Sequence, residues 1–196
     1  MFQIRIHGRG GQGVVTGAEM LSIAAFEQGR HAQAFPSFGS ERTGAPVVAF
    51  CRIAEREVRL REPVMAPDAL IIQDPTLLHQ VDVFQGLKPE GYVLINSARS
   101  FDELGVGDFV RRFRRERLAN VPAGEIAKTH LGRPLPNAAL LGGFAAISGL
   151  ITLQAVGQAI RDKFAGRVAD ANIAAAAEAF DYVQRKLQGP AHASTD

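Results

Sequence analysis

The sequence has 196 residues, enough for one globular domain that buries roughly 70% of the surface exposed by its unfolded chain. With 46% hydrophobic and 21% charged residues, the composition excludes disordered and fibrous proteins. The net charge of +2 is too small to indicate a nucleic-acid partner. Cys51 is the only cysteine, which excludes an intrachain disulfide and a cluster or zinc site built from this chain's cysteines.

We therefore expect a cytoplasmic protein. The most apolar stretch, residues 137–160, is interrupted by glycine and polar residues, which favours buried helices over a membrane span. We expect no contact with a membrane.

The first 30 residues predict a strand, a glycine turn and a helix. Residues 2–7 alternate apolar side chains with polar or cationic ones, which is typical of a strand with one buried face. Apolar positions from Val14 to Gln28 predict a helix that packs on a sheet, and Gly29 is its expected stop.

The middle of the chain predicts further strands. Residues 31–61 indicate two or three strands and a long loop, with strand-like spacing that continues to Val58 and Leu60. Residues 68–74 and 91–97 are short apolar runs typical of strands buried on both faces of a parallel sheet. Between them, residues 75–87 predict a helix.

The second half predicts a last short strand around Val121, a short helix, and helices throughout residues 137–187. The alternation of strands and helices predicts an α/β fold, a doubly wound Rossmann-like sheet with a helical C-terminal part. We expect residues 1–187 to form a single domain and residues 188–196 to form a flexible tail.

An arginine-rich run precedes that last strand. A solvated helix face is the favoured interpretation, and a phosphate-binding or docking strip is the alternative. The arginines of this run are Arg111, Arg112, Arg114, Arg115 and Arg117.

The glycine turn is the clearest motif. Gly8, Gly10 and Gly13 have the G-x-G-x-x-G spacing between a predicted strand and a predicted helix. Glycines permit close backbone approach, and the amides at a helix N-terminus favour an anion. Arg9 adds a cation. The simplest alternative is that the glycines only allow the helix to pack closely on the sheet.

An independent NAD(P)-binding oxidoreductase is a second alternative. Such an enzyme normally carries an acidic residue about 20 positions further on, at the end of its second strand, where it binds the ribose. Here no acidic residue follows that strand before Glu41. An NADP site could use Arg42 instead of an acid, but Arg42 lies inside a long loop rather than at a strand tip. The sequence therefore argues against a nicotinamide site.

Several other polar residues have simple structural interpretations. Asn96 and Ser97 follow a buried strand, where capping of a turn is favoured over ligand binding. Asn137 precedes an apolar helix and is expected to be its N-cap. His7 and His130 stand without a second ligand at metal spacing, so we expect no metal site.

Four segments together carry a resemblance to a known family. They are "RGGQGVVTGAEML" (9–21), "FPSFGSERTGAPVVAFCRI" (35–53), "NVPAGEIA" (120–127) and "NAALLGGFAAISGLI" (137–151). In this order they resemble the gamma subunit, or the equivalent internal domain, of 2-oxoacid:ferredoxin oxidoreductases. The resemblance extends from about residue 4 to about residue 180.

The resemblance implies a multi-subunit enzyme that converts a 2-oxoacid and CoA to an acyl-CoA and CO2. It implies thiamine diphosphate, Mg and [4Fe-4S] clusters in the complex but none bound by this chain alone. The implied partners are subunits of alpha, beta and delta type. Electrons would pass to ferredoxin or, where an FAD-containing subunit is added, to NAD.

In the family, this subunit packs on the thiamine-binding subunits and contributes to the CoA side of the active site. The resemblance implies contact roles, not catalytic ones, for a turn and a facing loop, which could meet either a CoA phosphate or a carboxylate of the neighbouring subunit. These residues are Arg9, Gly10, Gly11, Gln12 and Gly13 in the turn and Ser37, Phe38, Gly39, Ser40, Glu41, Arg42 and Thr43 in the loop.

Overall fold

The structure, a computed structural model, describes residues 1–37 and 43–189. Within these residues the strands are β1 (Phe2–Arg9), β2 (His31–Pro36), β3 (Pro46–Ala54), β4 (Ala69–Ile72), β5 (Tyr92–Asn96) and β6 (Leu118–Val121). The helices are α1 (Val14–Glu27), α2 (Gly107–Val110), α3 (Ala123–Leu131), α4 (Asn137–Ser148), α5 (Leu153–Lys163) and α6 (Gly166–Gln188).

The six strands form one mixed sheet in the order β2-β3-β1-β4-β5-β6. Strands β1, β4, β5 and β6 are parallel to their neighbours in this series, whereas β3 is antiparallel to both β1 and β2. Strand β2 therefore runs in the same direction as β1 but is separated from it by β3. The predicted α/β fold class with a helical C-terminal part is confirmed.

The long helices cover one face of the sheet. Apolar side chains of β1 and β4, such as Ile4, Ile6 and Ile71, pack there in one core with α1 and α3 to α6. The crossing of α4 and α6 is close, because a Cβ on Gly142 would collide with the backbone carbonyl of Ala176. The predicted C-terminal helical region is three helices, with left-handed glycines at the breaks.

The opposite face has a smaller core and only short helical pieces. Leu70, Ile72 and Ile95 of the sheet pack there with Leu77 and Val83. The prediction of a helix over residues 75–87 is wrong, because this segment forms only a 3-10 turn, at Pro75–His79.

Two features characterise the segment that follows this 3-10 turn. The buried Arg5 guanidinium donates to the carbonyls of Val83 and Gln85, at 2.8 and 2.7 Å, and so ties this segment to β1 in a non-helical conformation. Gly86 then takes a left-handed φ of 73°.

The arginine-rich run likewise forms no extended helix. It contributes only to the end of α2 and to a 3-10 turn at Arg115–Arg117. Several of its charges are paired locally: Arg114 with Glu90 at 3.2 Å, and Arg111 with Asp102 at 2.8 Å. The strand predicted from the spacing of Val58 and Leu60 does not form either, since β3 ends at Ala54.

No helix in the described part of the chain is long and apolar enough to span a membrane. The tail predicted for residues 188–196 begins with Gln188, which is the last residue of α6, and residues 190–196 lie outside the described residues.

Candidate functional site

The candidate site lies at the sheet edge where the parallel strands have their carboxyl ends. The glycine turn connects β1 to α1 there, and the end of the predicted facing loop lies beside it. Gly10 donates to Ala45 O at 2.9 Å and accepts from Gly44 N at 3.0 Å, and it forms a parallel bridge with Thr43. The structure thus brings the turn and the end of this loop together.

Arg9 is held by neighbours within the chain. Its guanidinium donates to Asp74 Oδ2 at 3.1 Å, Gly44 O at 3.0 Å, Thr76 Oγ1 at 2.8 Å and Gln80 Oε1 at 2.6 Å. Since a guanidinium has five N–H donors, these four bonds leave little capacity for a ligand. Arg9 therefore braces the turn, a role that differs from the anion-binding cation expected from the sequence.

Asp74 is the acceptor at the centre of this bracing. Oδ2 accepts from Arg9 and from Gln12 Nε2 at 2.8 Å, and Oδ1 accepts from Thr76 N at 3.0 Å and Thr76 Oγ1 at 2.6 Å. Burial by itself would raise the pKa of Asp74, but the hydrogen bonds from Thr76 and Gln12 and the charge of Arg9 outweigh it. The pKa of this carboxyl is therefore below its usual value.

A second group of amides connects the turn to neighbouring elements. Gln73 donates from Nε2 to Gln12 O and, at 3.1 Å, to Asn137 Oδ1 at the start of α4. Asn96, at the end of β5, donates to Gln73 O at 2.9 Å and accepts from Gly124 N at 3.0 Å near the start of α3. Groups from three strand ends and two helices thus share one network, with α3 contributing the backbone N–H of Gly124.

Two glycines of the motif, Gly8 and Gly13, are required for different reasons. At Gly8 a Cβ would lie 2.5 Å from Val14 Cγ2, so this position allows the first turn of α1 to pack on β1. Gly13 has a left-handed φ of 72°, and a Cβ there would collide with the side-chain nitrogen of Asn137. Close packing therefore accounts for Gly8, and backbone conformation accounts for Gly13.

The N-terminus of α1 faces this edge without a side-chain cap. Gly13 is the N-cap residue, and the first turn of α1 contains no acidic residue. Amides at such an end attract negative charge. The Asn137 side-chain nitrogen lies next to Gly13 and adds a further polar group beside this helix end.

The structure describes only part of the predicted contact set. Arg9 to Gly13, Ser37 and Thr43 are described, whereas the predicted contact residues Phe38, Gly39, Ser40, Glu41 and Arg42 lie outside the described residues. Ser37 N donates to Val48 O at 2.8 Å, just beyond the end of β2.

Sequence reasoning missed Gln73, Asp74 and Thr76 as parts of this edge. Their position could have indicated this, since Gln73 and Asp74 directly follow the buried strand β4. The carboxyl ends of parallel strands meet at one edge of a sheet, where ligands bind. Asn137 was interpreted incorrectly as an N-cap, since Pro136 occupies that position and Asn137 is the first residue of α4.

The other polar residues have structural roles. Ser97 Oγ accepts from Arg99 N at 3.0 Å, as expected for a turn cap. Burial lowers the pKa of His7 to about 3, with Arg5 as the second cause, and raises the pKa of the Cys51 thiol to about 12. His130 pairs with Glu178 at 2.6 Å. Residues 1–37 and 43–189 contain no cluster of three side chains able to hold a metal ion.

The topology does not favour the dinucleotide alternative. In a dinucleotide-binding fold the strand that carries the ribose-binding acid lies directly beside the first strand. Here β3 lies between β1 and β2, so the end of β2 is two strand spacings, about 9.6 Å, from β1. Strand β2 ends at Pro36, which has no side-chain acceptor for a ribose.

Replacing Asp74 with asparagine tests the bracing of the turn. The new amide would place its N–H groups against donors from Arg9 and Gln12, so we expect the free energy of unfolding at pH 7 to fall by about 2 kcal/mol. Because the folded-state pKa of Asp74 is depressed, its stabilisation is present above the usual pKa of 3.8 and is lost as the pH falls below that value.

Urea unfolding at several pH values measures this effect, with Asp108→Asn as the control because the Asp108 side chain is 98% exposed. The difference between wild type and Asp74→Asn should shrink as the pH falls below 3.8. A constant difference down to the lowest pH would contradict the assignment of the ionised carboxylate as the stabilising form.

The fold and the edge site together define a class of protein. It is an α/β chain whose sheet edge presents backbone amides, side-chain amides and a helix N-terminus, which suits contact with an anion or with a partner chain.

Comparison with known proteins identifies the family. The model of the family "Pyruvate ferredoxin/flavodoxin oxidoreductase" matches residues 3–182. The common gamma subunit of the pyruvate/ketoisovalerate oxidoreductases of Pyrococcus abyssi is 45% identical over 186 residues, which cover 94% of this chain and 98% of that protein. The pyruvate synthase subunit PorC of Methanothermobacter marburgensis is 43% identical over 92% of this chain and 97% of that protein.

The crystal structure of the pyruvate oxidoreductase subunit PORC of Thermotoga maritima has a TM-score of 0.77 with this chain. The sequence identity is 34%, over 92% of this chain and 95% of that one. This chain therefore belongs to the pyruvate ferredoxin/flavodoxin oxidoreductase family, as a gamma subunit, and the resemblance identified in the sequence is confirmed.

Proposed function

We propose that this gamma subunit contributes to the CoA side of the active site in a thiamine diphosphate-dependent 2-oxoacid oxidoreductase. The complex would oxidatively decarboxylate a 2-oxoacid to an acyl-CoA and CO2. Ferredoxin would accept the electrons or, where an FAD-containing subunit is added, NAD would accept them. Alpha, beta and delta-type partners would hold the thiamine diphosphate, Mg and [4Fe-4S] clusters, in the cytoplasm.

The observation that carries this proposal is the uncapped N-terminus of α1 under the glycine turn. Its amides and the neighbouring Asn137 side-chain nitrogen provide donors for a phosphate of CoA, in a region where Gly13 leaves no Cβ in the way. Arg9, Gln12 and Asp74 keep the turn in place, so the donors need little reorganisation when an anion binds.

The contact residues that we propose are the turn, Arg9 to Gly13, and the facing loop from Ser37 to Thr43. Within the turn, Gly11 and Gly13 would approach the ligand through their backbones, while Arg9 and Gln12 would act by holding the turn. Catalysis itself would be supplied by thiamine diphosphate on the partner subunits, and this chain would bind and orient CoA.

Asn137→Asp in the assembled complex tests the proposal. The change keeps the oxygen that accepts from Gln73 but replaces the N–H donors beside Gly13 with negative charge. Losing one hydrogen bond to a charged ligand costs about 1.5 to 3 kcal/mol, so we expect the KM for CoA to rise about tenfold or more. The KM for the 2-oxoacid should stay within about twofold of wild type, since we assign this edge to CoA.

Stability separates this effect from misfolding. A carboxylate near a helix N-terminus is favourable, so the free energy of unfolding of Asn137→Asp should be unchanged or higher by about 0.5 kcal/mol. Gln158→Glu is the matched control for the KM measurement, an amide-to-carboxylate change on α5, where Gln158 donates to Asp162 one turn further along the helix. An unchanged KM for CoA in a correctly assembled Asn137→Asp complex would overturn the CoA assignment.

A further inference from the structure

An apolar cavity of about 330 Å³ opens beside the carboxyl-edge site. Met20 of α1 forms part of its floor, Leu131, Leu135, Phe164 and Val168 form apolar walls, and Arg133 lines its rim. Asn137 borders both this cavity and the edge network, so the two features are continuous.

Two of the wall residues are unusually exposed for large apolar side chains. Leu135 is 40% exposed and Val168 is 51% exposed. Isolated exposed apolar residues are common on protein surfaces, but apolar residues that converge on a concave site mark a binding surface. Met20 is fully buried behind them, so the cavity reaches the core.

The loop that carries Leu135 is rigid. Pro134 and Pro136 flank Leu135 and restrict the backbone, and Leu135 N donates to Arg133 O at 2.9 Å. A wall with a restricted backbone needs little ordering when a partner binds, which favours affinity.

Arg133 supplies the charge in the lining of the cavity, and nearby acidic residues are paired with other cations. Glu19, next to Met20, pairs with Lys163 at 2.5 Å, and Asp170, two residues after Val168, pairs with Arg161 at 3.2 Å. In the described part of the chain, Arg133 has no ion-pair partner. The rim is thus complementary to a carboxylate.

From this geometry we propose that the cavity receives a large apolar or aromatic side chain of a partner subunit of the oxidoreductase, with a neighbouring carboxylate of that subunit on Arg133. The volume is at the lower end for small-molecule sites but suits a single side chain, and interfaces are anchored by such side chains in pockets. The proposal rests on this chain being one subunit of a complex and does not depend on the CoA contact.

The test uses the complex co-expressed from this chain and its cognate partner subunits. Leu135→Glu should weaken binding of this chain to the partners about 30-fold or more, as expected for loss of an interface anchor. Arg133→Glu should weaken it as well, and its effect should shrink at high salt. Phe26→Glu is the matched control, because Phe26 is 70% exposed and is not part of the cavity; its binding should remain within about twofold of wild type.

Size-exclusion chromatography, the subunit ratio and a dilution series measure the binding. Each isolated variant must unfold at the same urea concentration as wild type, and Arg133→Glu carries the test if Leu135→Glu does not fold. Binding of both variants equal to that of Phe26→Glu would overturn the proposal. If the variants left the complex intact but raised the KM for CoA, the cavity would belong to the CoA site. If the isolated chain self-associated through Leu135, the cavity would bind a second copy of this chain. Either result would overturn the proposal.

Discussion

Replacing Gly13 with alanine is expected to lower the free energy of unfolding by about 2 kcal/mol, because a left-handed backbone costs an L-residue about 1 to 2 kcal/mol and the new Cβ must displace Asn137. The φ of Gly13 is 72°, and the collision is with the Asn137 side-chain nitrogen. Urea unfolding of the purified chain measures the change. In the assembled complex, the same variant should also raise the KM for CoA if the proposed role of the edge is correct.

Gly17→Ala is the matched control, one helical turn further along α1. A Cβ there would lie 3.9 Å from Asn137 Cβ, an ordinary contact, and the position is inside a regular helix. We expect Gly17→Ala to raise the free energy of unfolding by up to about 1 kcal/mol. If Gly13→Ala behaved in the same way, the left-handed conformation at residue 13 would not be a requirement of the turn.

Gly142→Ala is expected to have the larger effect on stability, a loss of about 3 kcal/mol. A Cβ on Gly142 would collide with the carbonyl oxygen of Ala176, and backbone cannot rotate away as a side chain can. Helices α4 and α6 would have to move apart, which opens the main core, and overpacking of this kind costs about 1 to 3 kcal/mol or more. For a chain of this length, the melting temperature should fall by about 6 to 12 °C.

The neighbouring residue provides the control for this prediction. A Cβ on Gly143 would lie 3.4 Å from methyl groups of Leu94 and Val121, which are side-chain atoms at an ordinary contact distance. We expect Gly143→Ala to remain within about 1 kcal/mol of wild type, since improved helix propensity offsets modest crowding. Equal losses for the two variants would show that the α4–α6 contact is less close than the structure has it.

Local pattern was sufficient for the elements in which pattern and environment agree. The alternation of residues 2–7, the apolar face after Val14 and the uniformly apolar run of β4 each require one type of element, and these elements formed. The predicted helix over residues 75–87 did not form, and Arg5, about 80 positions earlier in the chain, instead binds the carbonyls of Val83 and Gln85 there. A contact so distant in sequence leaves no periodic signal.

The candidate site also combines features that local sequence predicts with features that depend on distant contacts. The glycine spacing and the four family segments identified the turn and its family, because these depend on residue types at short separations. The role of Arg9 could not be inferred, since its partners Asp74, Thr76 and Gln80 are 65 to 71 positions away. Asn137 reaches Gln73 across 64 positions, so its place in the network was equally invisible in the sequence.

The sequence by itself determined that this protein is an α/β chain with a glycine turn between its first strand and helix, and that it belongs to one family. Only the tertiary structure decided that β3 separates β1 from β2, that Arg9 braces the turn, and that an apolar cavity lies next to Asn137. The physical reason is the separation along the chain over which each effect acts. Propensity, periodicity and glycine conformation act between neighbours in the chain, whereas strand order, ion pairing and cavities depend on which distant segments pack together.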